Sequence, residues 1–555
     1  HMSVDGHHIG GTEPSIMRKE KILAHLPMAL VPEAGRVLSV GLGSGVTLGT
    51  LSLYDEIGEL VCVEIVPGVV EGAKLFAAAN FHVLDDPRTK MKVGDGVQFL
   101  LTENGEFDLI SSDSKLNPEY SGNAALLSKD YYELCRDRLS DEGVMVQWLA
   151  THLPSSEVRT VTRSFQAAFP HTGIFWLDPY NVILVGSPSP LAYHMERVES
   201  ALEDERIRAD LAAMLLDDPY VMASLFVSGN EVLAEAVGDG PVNSWARPIL
   251  EFSTVREYRV KSRSYHEDEN LRWLNNQRRV GGLPVIGAFA PGRLADARLV
   301  TDKLLEGYAA GGGVARLNSG RASFEEGLAA VPEDPRLSFL LGALDQMSSA
   351  LEQIVESSGD ASSLVQLGLQ RRDEGRFLEA LDLFDRALLE APGDINIRYN
   401  RIITLRDMDR ITEMEVDLFD FRKDYPEDAR GWSLEGRLMA DRGRDEEALD
   451  FFERAAELDP GSTIYLNNLA TALARLDRFS EAGDVFARVY ELDNGYPGAA
   501  FFAAASYSMA GRTVEAGLWM EICIEGRLAT YEQFETGEFF ETLRNSADWR
   551  EQSAP

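Results

Sequence analysis

Between residues 361 and 530 the chain repeats itself every 34 residues, and this limits what its C-terminal part can fold into more than any other feature. Ala380, Ala448, Ala482 and Ala516 stand in register, with Met414 in the remaining slot. Four residues later come Phe384, Leu418, Phe452, Phe486 and Met520; twelve residues earlier stand Gly368, Ile402, Gly436, Ala470 and Ala504. Pro392, Pro426 and Pro460 keep the same step. A small residue where two helices cross, a large one a turn later, and a proline stopping the second helix describe a helical hairpin. One such hairpin cannot bury its apolar face alone, so the copies must stack.

The pattern resembles the tetratricopeptide repeat, with about five copies over residues 361–530 and residues 531–555 as a cap carrying Phe534 and Phe539-Phe540. The N-terminal part has another rhythm. Short β-rich runs alternate with helical stretches: Arg36–Gly41, Leu60–Ile65, Lys90–Val93, Phe107–Ser112 and Gly143–Trp148. That alternation predicts a parallel sheet with helices on both faces. Gly173–Leu177 and Asn181–Gly186, parted by Asp178-Pro179-Tyr180, read as a terminal hairpin. The expected fold is therefore α/β, a Rossmann-like sheet of the methyltransferase type, followed by an all-α repeat solenoid. Residues 191–280 read as a helical extension. Residues 281–360 read as a linker and helical segment, because of Gly281-Gly282, Pro291-Gly292 and Gly311-Gly312-Gly313.

Asp and Glu number 90 against 53 Lys and Arg, so the chain carries a formal charge of −37 and no nucleic-acid partner is expected. Cys62, Cys135 and Cys523 form no CxxC pair, and no metal site is expected. No run approaches the ~18 apolar residues of a membrane helix.

Three strand ends carry groups suited to a nucleoside. Gly41-Leu42-Gly43-Ser44-Gly45 follows the first strand, where glycines let the backbone approach a ligand beside helix amides. Glu64 ends the second strand, where a carboxylate can accept from both ribose hydroxyls. Asp95-Gly96 follows the third, where a carboxylate and backbone can read an adenine edge.

Here the sequence resembles the spermidine synthase (polyamine aminopropyltransferase) family over residues 4–190. The matching pieces are Asp5-Gly6, His25-Leu26-Pro27, the glycine loop, Glu64, Asp86-Pro87-Arg88, Asp95-Gly96, Phe107-Asp108, Asp113-Ser114, Tyr131-Tyr132, and Gly143 with Gln147. His7-His8-Ile9-Gly10-Gly11-Thr12 and Arg247-Pro248 to Phe252 look closer to a bacterial subgroup fused behind a membrane-spanning segment. The resemblance implies a domain that binds decarboxylated S-adenosylmethionine, moves its aminopropyl group to a diamine and releases methylthioadenosine. It implies Asp113 as the catalytic aspartate, with Glu64 on the ribose and Asp95 on the adenine. Gly41, Gly43, Ser44, Gly45, Gly96 and Ser114 would complete the donor site. No cofactor is implied beyond the sulfonium substrate. The location implied is cytoplasmic, or the cytoplasmic portion of a membrane protein.

The departures from the family matter as much. Ser44 stands where the family's glycine loop has an acid that grips the propyl amine. Leu116 replaces a second aspartate, Lys19 aligns with a diamine-facing tyrosine, and Ile9 with a glutamine. A diamine needs carboxylates at both ends; this sequence loses acids and offers Lys19 and Lys115, with His8 and Ile9 at the pocket entrance. The expectation drawn is an acceptor-free lyase, in which the carboxylate of intact S-adenosylmethionine attacks its own γ-carbon to give homoserine lactone. Aminopropyl transfer is the alternative, followed by a methyltransferase and by a non-catalytic nucleotide-sensing scaffold. The repeats imply a protein partner or self-association.

Overall fold

Apolar residues fall on both faces of runs such as Leu60–Val63, as strands covered by helices on each side require, while Lys90–Val93 is mostly exposed. The computed structural model describes residues 2–4, 7–10, 14–112, 123–250, 263–278, 282–311, 320–492, 497–525, 531–546 and 549. A short hairpin of β1 (Met2–Val4) and β2 (His7–Gly10) precedes helix α1 (Pro14–Met28). Then follow β3 (Arg36–Val40), α2 (Val46–Ser52), β4 (Glu59–Glu64), α3 (Pro67–Ala73), β5 (Thr89–Val93), α4 (Gly96–Thr102) and β6 (Phe107–Ser112). After these come α5 (Lys129–Arg136), β7 (Leu139–Ala150), α6 (Ser155–Ala168), β8 (His171–Asp178) and β9 (Asn181–Ser187). Beyond them lie β10 (Tyr193–His194), β11 (Phe226–Gly229) and β12 (Val285–Ile286).

The main sheet has eight strands in the order β11-β8-β9-β7-β6-β3-β4-β5. Strands β3 to β7 are mutually parallel; β9, β8 and β11 continue the sheet antiparallel. The order reverses between β3 and β6, which opens a crevice at their carboxyl ends, where α/β sheets bind ligands. Register sets the residues of that edge side by side: Val40 opposite Val63 and Ser112, Glu64 opposite Val93, and Ser112 opposite Gln147.

Contacts divide the chain into two units, His1–Gln346 and Met347–Pro555. In the first, each face of the sheet has its own core: Leu23, Leu26, Leu48 and Ile183 on one side, Leu38, Ile110, Tyr131 and Phe165 on the other. Pro291-Gly292, read as loop or linker, opens a helix, Pro291–Gly311. Its Val300, Leu304 and Leu305 are buried in the second of these cores. Proline costs nothing at a helix's first turn, where its missing N–H would lack a partner anyway. Strand β11 lies within the stretch expected to be helical. It pairs with β8 with an irregular register, a tertiary contact that four residues of sequence do not announce. Among the described residues no helix is long and apolar enough to cross a membrane.

The second unit holds five helix pairs among the described residues: Ala361–Asp373 with Phe377–Glu390, Ile395–Asp407 with Ile411–Asp424, Ala429–Asp441 with Asp445–Leu458, Thr463–Arg475 with Phe479–Leu492, and Pro497–Met509 with Thr513–Glu525. The repeat columns meet as the spacing demands. A Cβ on Gly368 would lie 2.8 Å from the Phe384 ring, and one on Gly436 2.7 Å from Phe452. Two further columns keep the period. Asp360, Asp394, Asp428 and Ser462 cap the first helix of the first four pairs, and Gly375, Asp409, Gly443, Asp477 and Gly511 make the intervening turn of all five at positive φ. In the segment read as a cap, Phe534 and Phe540 are buried against Phe501, while Phe539 is half exposed. Gly436→Val is expected to cost about 2 kcal/mol, because its branches would enter the Phe452 ring and the backbone must shift. Urea unfolding followed by helical circular dichroism measures this.

Candidate active site at the carboxyl edge

The glycine loop between β3 and α2 takes a left-handed path that favours glycine. Gly41, Gly43 and Gly45 have φ of +91°, +55° and +82°. Asn80, itself buried, holds the loop from below by donating to the carbonyls of Ser44 and Ala73, at 3.0 and 2.9 Å. Glu64, at the end of β4, is 7 % exposed. Its carboxylate accepts from the backbone N–H groups of Leu42 and Val66, at 2.9 and 2.8 Å, so it is tied to the loop it is expected to serve with. Asp95 caps α4 by accepting from the Gln98 N–H at 2.9 Å, and is exposed at the mouth of the edge. A Cβ on Gly96 would collide with Val40, which explains glycine there without any ligand.

Helix α1 packs against α2 and reaches β6 and β7. It brings two charged residues to this edge. Lys19 is buried, with its ammonium 4.4 Å from the centre of the Trp148 ring. Its neighbour Glu20 is also buried, and Ser44 donates to its Oε2 at 2.6 Å. A carboxylate from α1 thus stands beside Ser44, the loop position at which the sequence lacks an acid. Glu20 is not marked in the sequence, because it sits in a helix 24 residues away and has no motif around it. A serine in place of a loop acid, read together with a new acid on the preceding helix, is the signal that could have found it.

Gln147, opposite Ser112, is fully buried, and its Oε1 accepts no hydrogen bond from the described residues. A buried acceptor of this kind suits a ligand N–H. Trp148 donates from Nε1 to Asn181 at 2.8 Å and has Lys19 on its face; Trp176 lies in a core, and Tyr180 is exposed. Tyr131 and Tyr132 are buried packing residues, Tyr132 edge-on to Phe165. Asp113, Ser114 and Lys115 lie outside the described residues. Of His8 and Ile9 only the backbone, in β2, is described.

Two other matching pieces are placed away from the site. Arg88 precedes β5 at the opposite edge of the sheet; it pairs with Asp86 and donates to the carbonyls of Ser52, Tyr54 and Ile57. His25 lies on α1 in a buried network. Its Nδ1 meets the Tyr54 hydroxyl at 2.8 Å and its Nε2 the Asp210 carboxylate at 3.0 Å, and Lys21 pairs with the same carboxylate.

Residues 17–178 match the family described as "Spermine/spermidine synthase domain", and residues 429–462 match "Tetratricopeptide repeat". A polyamine aminopropyltransferase of Thermotoga petrophila is 32% identical over 133 residues, 24% of this chain and 45% of that protein. One of Alkaliphilus oremlandii is 30% identical over 143 residues, 26% of this chain and 50% of that protein. The chain spans about half the length of these curated relatives. A solved spermidine synthase from Thermotoga maritima aligns at 24% identity and a TM-score of 0.27, over 31% of this chain and 59% of that one. The chain therefore carries an N-terminal domain of the spermine/spermidine synthase type followed by tetratricopeptide repeats.

Proposed function

We propose that the N-terminal domain transfers the aminopropyl group of decarboxylated S-adenosylmethionine to an amine, releasing 5′-methylthioadenosine. The observation that carries this reading is the Glu20 carboxylate held against Ser44 of the glycine loop. A buried carboxylate there can hold the terminal ammonium of the donor's propyl chain. Glu64 takes the ribose hydroxyls, and Asp95 with Gly96 the adenine. In the reaction the acceptor's nitrogen lone pair forms a bond to the propyl carbon beside sulfur. The carbon–sulfur bond breaks toward sulfur, and its positive charge is neutralised. The amine must arrive neutral or lose its proton, and Asp113, next after Ser112 at the end of β6, is the proposed base.

The acceptor-free lyase rested on the missing diamine-binding acids; the family match and the relatives favour the transfer alternative instead, and Glu20 adds a carboxylate at the donor end. The repeats are assigned a protein contact, as stacked helical hairpins expose long surfaces.

The test supplies the full chain with decarboxylated S-adenosylmethionine and 1,3-diaminopropane or 1,4-diaminobutane, and follows products by mass spectrometry. An aminopropylated amine in equal amount with methylthioadenosine is expected. Glu64→Gln is expected to raise the donor KM about tenfold, the worth of a hydrogen bond to a charged group. Methylthioadenosine from intact S-adenosylmethionine alone would restore the lyase. S-adenosylhomocysteine would indicate methyl transfer, and no turnover with any donor a scaffold.

A further inference from the structure

Ahead of β5 two consecutive residues, Phe81 and His82, take positive φ, 53° and 56°. Neither is glycine, so at each the Cβ crowds the following carbonyl. Such strain persists only where the surroundings fix it, and it gathers at functional sites. Here the surroundings fix it closely. The His82 N–H donates to the Ala77 carbonyl at 2.8 Å, and the His82 carbonyl accepts from the Asp85 N–H at 2.9 Å. Val83, next in the chain, is fully buried.

The residue this turn delivers is Asn80, 1 % exposed. Its backbone is pressed on α2: a Cβ on Gly49 would lie 2.2 Å from the Asn80 carbonyl oxygen. Its Nδ2 joins the glycine loop to the end of α3, through the carbonyls of Ser44 and Ala73. A Cβ on Gly45 would lie 3.0 Å from the same nitrogen, so the loop's glycine makes room for it. Ser44 is fully buried, and its hydroxyl donates to Glu20 at 2.6 Å. Asn80 therefore holds the backbone of the residue whose side chain holds Glu20. Without the amide, the Ser44 carbonyl would lose this donor, and the loop would move to find another.

We infer that Asn80 is a positioning residue of the donor site, and that the left-handed turn at Phe81-His82 delivers its amide there. Acting through Ser44, it fixes where Glu20 meets the donor's propyl ammonium. This rests on the transfer reading.

With the full chain, Asn80→Ala is expected to raise the KM for decarboxylated S-adenosylmethionine about tenfold. Both kcat and the KM for 1,4-diaminobutane are expected to change less than about twofold. 5′-Methylthioadenosine has the nucleoside but no ammonium, and its calorimetric Kd is expected to rise less than about threefold. A chain that is merely loosened would lose both ligands alike. His82→Gly keeps the amide and adopts the same φ without strain. It is expected to raise the melting midpoint by about 2 °C and to leave the donor KM within about twofold. Where Asn80→Ala does not fold, Asn80→Ser, which retains a shorter donor, serves, with the donor KM raised about threefold. Three results would overturn the assignment: an unchanged donor KM in the Asn80 variant, an equal loss of both ligands, or a rise in His82→Gly as large as that in Asn80→Ala. Any of them beside normal turnover by the parent sinks this inference alone. Absence of turnover in the parent sinks the transfer reading with it.

Discussion

Glu20→Gln is expected to lower kcat/KM for decarboxylated S-adenosylmethionine by on the order of 10²-fold, most of it in the donor KM. The glutamine keeps the shape that Ser44 donates to at 2.6 Å but removes the charge that holds the donor's ammonium. Ser44→Asp alone is expected to be nearly as damaging. It would set a second carboxylate against the first in a buried site, and one of the two would be driven to bind a proton. The double variant Glu20→Gln with Ser44→Asp moves the charge from helix α1 back to the loop, and is expected to recover activity to within about tenfold of the parent. Recovery separates loss of the charge from misfolding. An unchanged donor KM in Glu20→Gln would remove the observation on which the transfer reading rests.

Asp210→Asn is expected to cost the first unit about 3 kcal/mol, the penalty for leaving a buried partner charge uncompensated. Lys21 and His25 both depend on this carboxylate, and the pair ties α1 to the helix Glu205–Ala212. The same network sets an acid limit on stability. Burial holds His25 below its usual pKa. As pH falls below about 6.5 the unfolded chain therefore gains a proton that the folded chain refuses, and stability declines. Asp210 is held below its own usual value, against its burial, by hydrogen bonds from His25 and Lys21. Its contribution is present above about pH 4 and is lost as pH falls through the folded pKa. Calorimetric melting from pH 7 to pH 3 should show both stages in the parent. In Asp210→Asn the loss below about pH 4 should be smaller, the remainder coming from carboxylates such as Asp86 and Asp204 that are also held below their usual values.

The two halves of the chain differ in how legible they are, and the difference follows the range of the contacts. Gly436 meets Phe452 sixteen residues on, and the same pairing recurs at Gly368 and Phe384, so a column of letters reports a contact directly. The strands β3 to β7 are similarly visible, as short β-rich runs alternating with helical stretches, although β5 at the sheet's edge exposes Lys90 and Lys92. The capping column from Asp360 to Ser462 was also present as letters, but weak preferences become a signal only when lined up by period. The helix at Pro291 was hidden because proline and glycine mark a turn and a helix start alike.

Legible in the letters alone were seven of the sheet's eight strands, the repeat, the glycine loop, and Glu64 at the strand end beside it. These depend on neighbours near in the chain or on a periodic pattern. Only the packing in three dimensions decided that Glu20 answers Ser44 and that Lys19 covers Trp148. In each case the packing of α1 on the sheet brings groups together from distant parts of the chain. A buried charge or donor takes its partner from whatever the fold places within about 3 Å, whatever the distance along the chain.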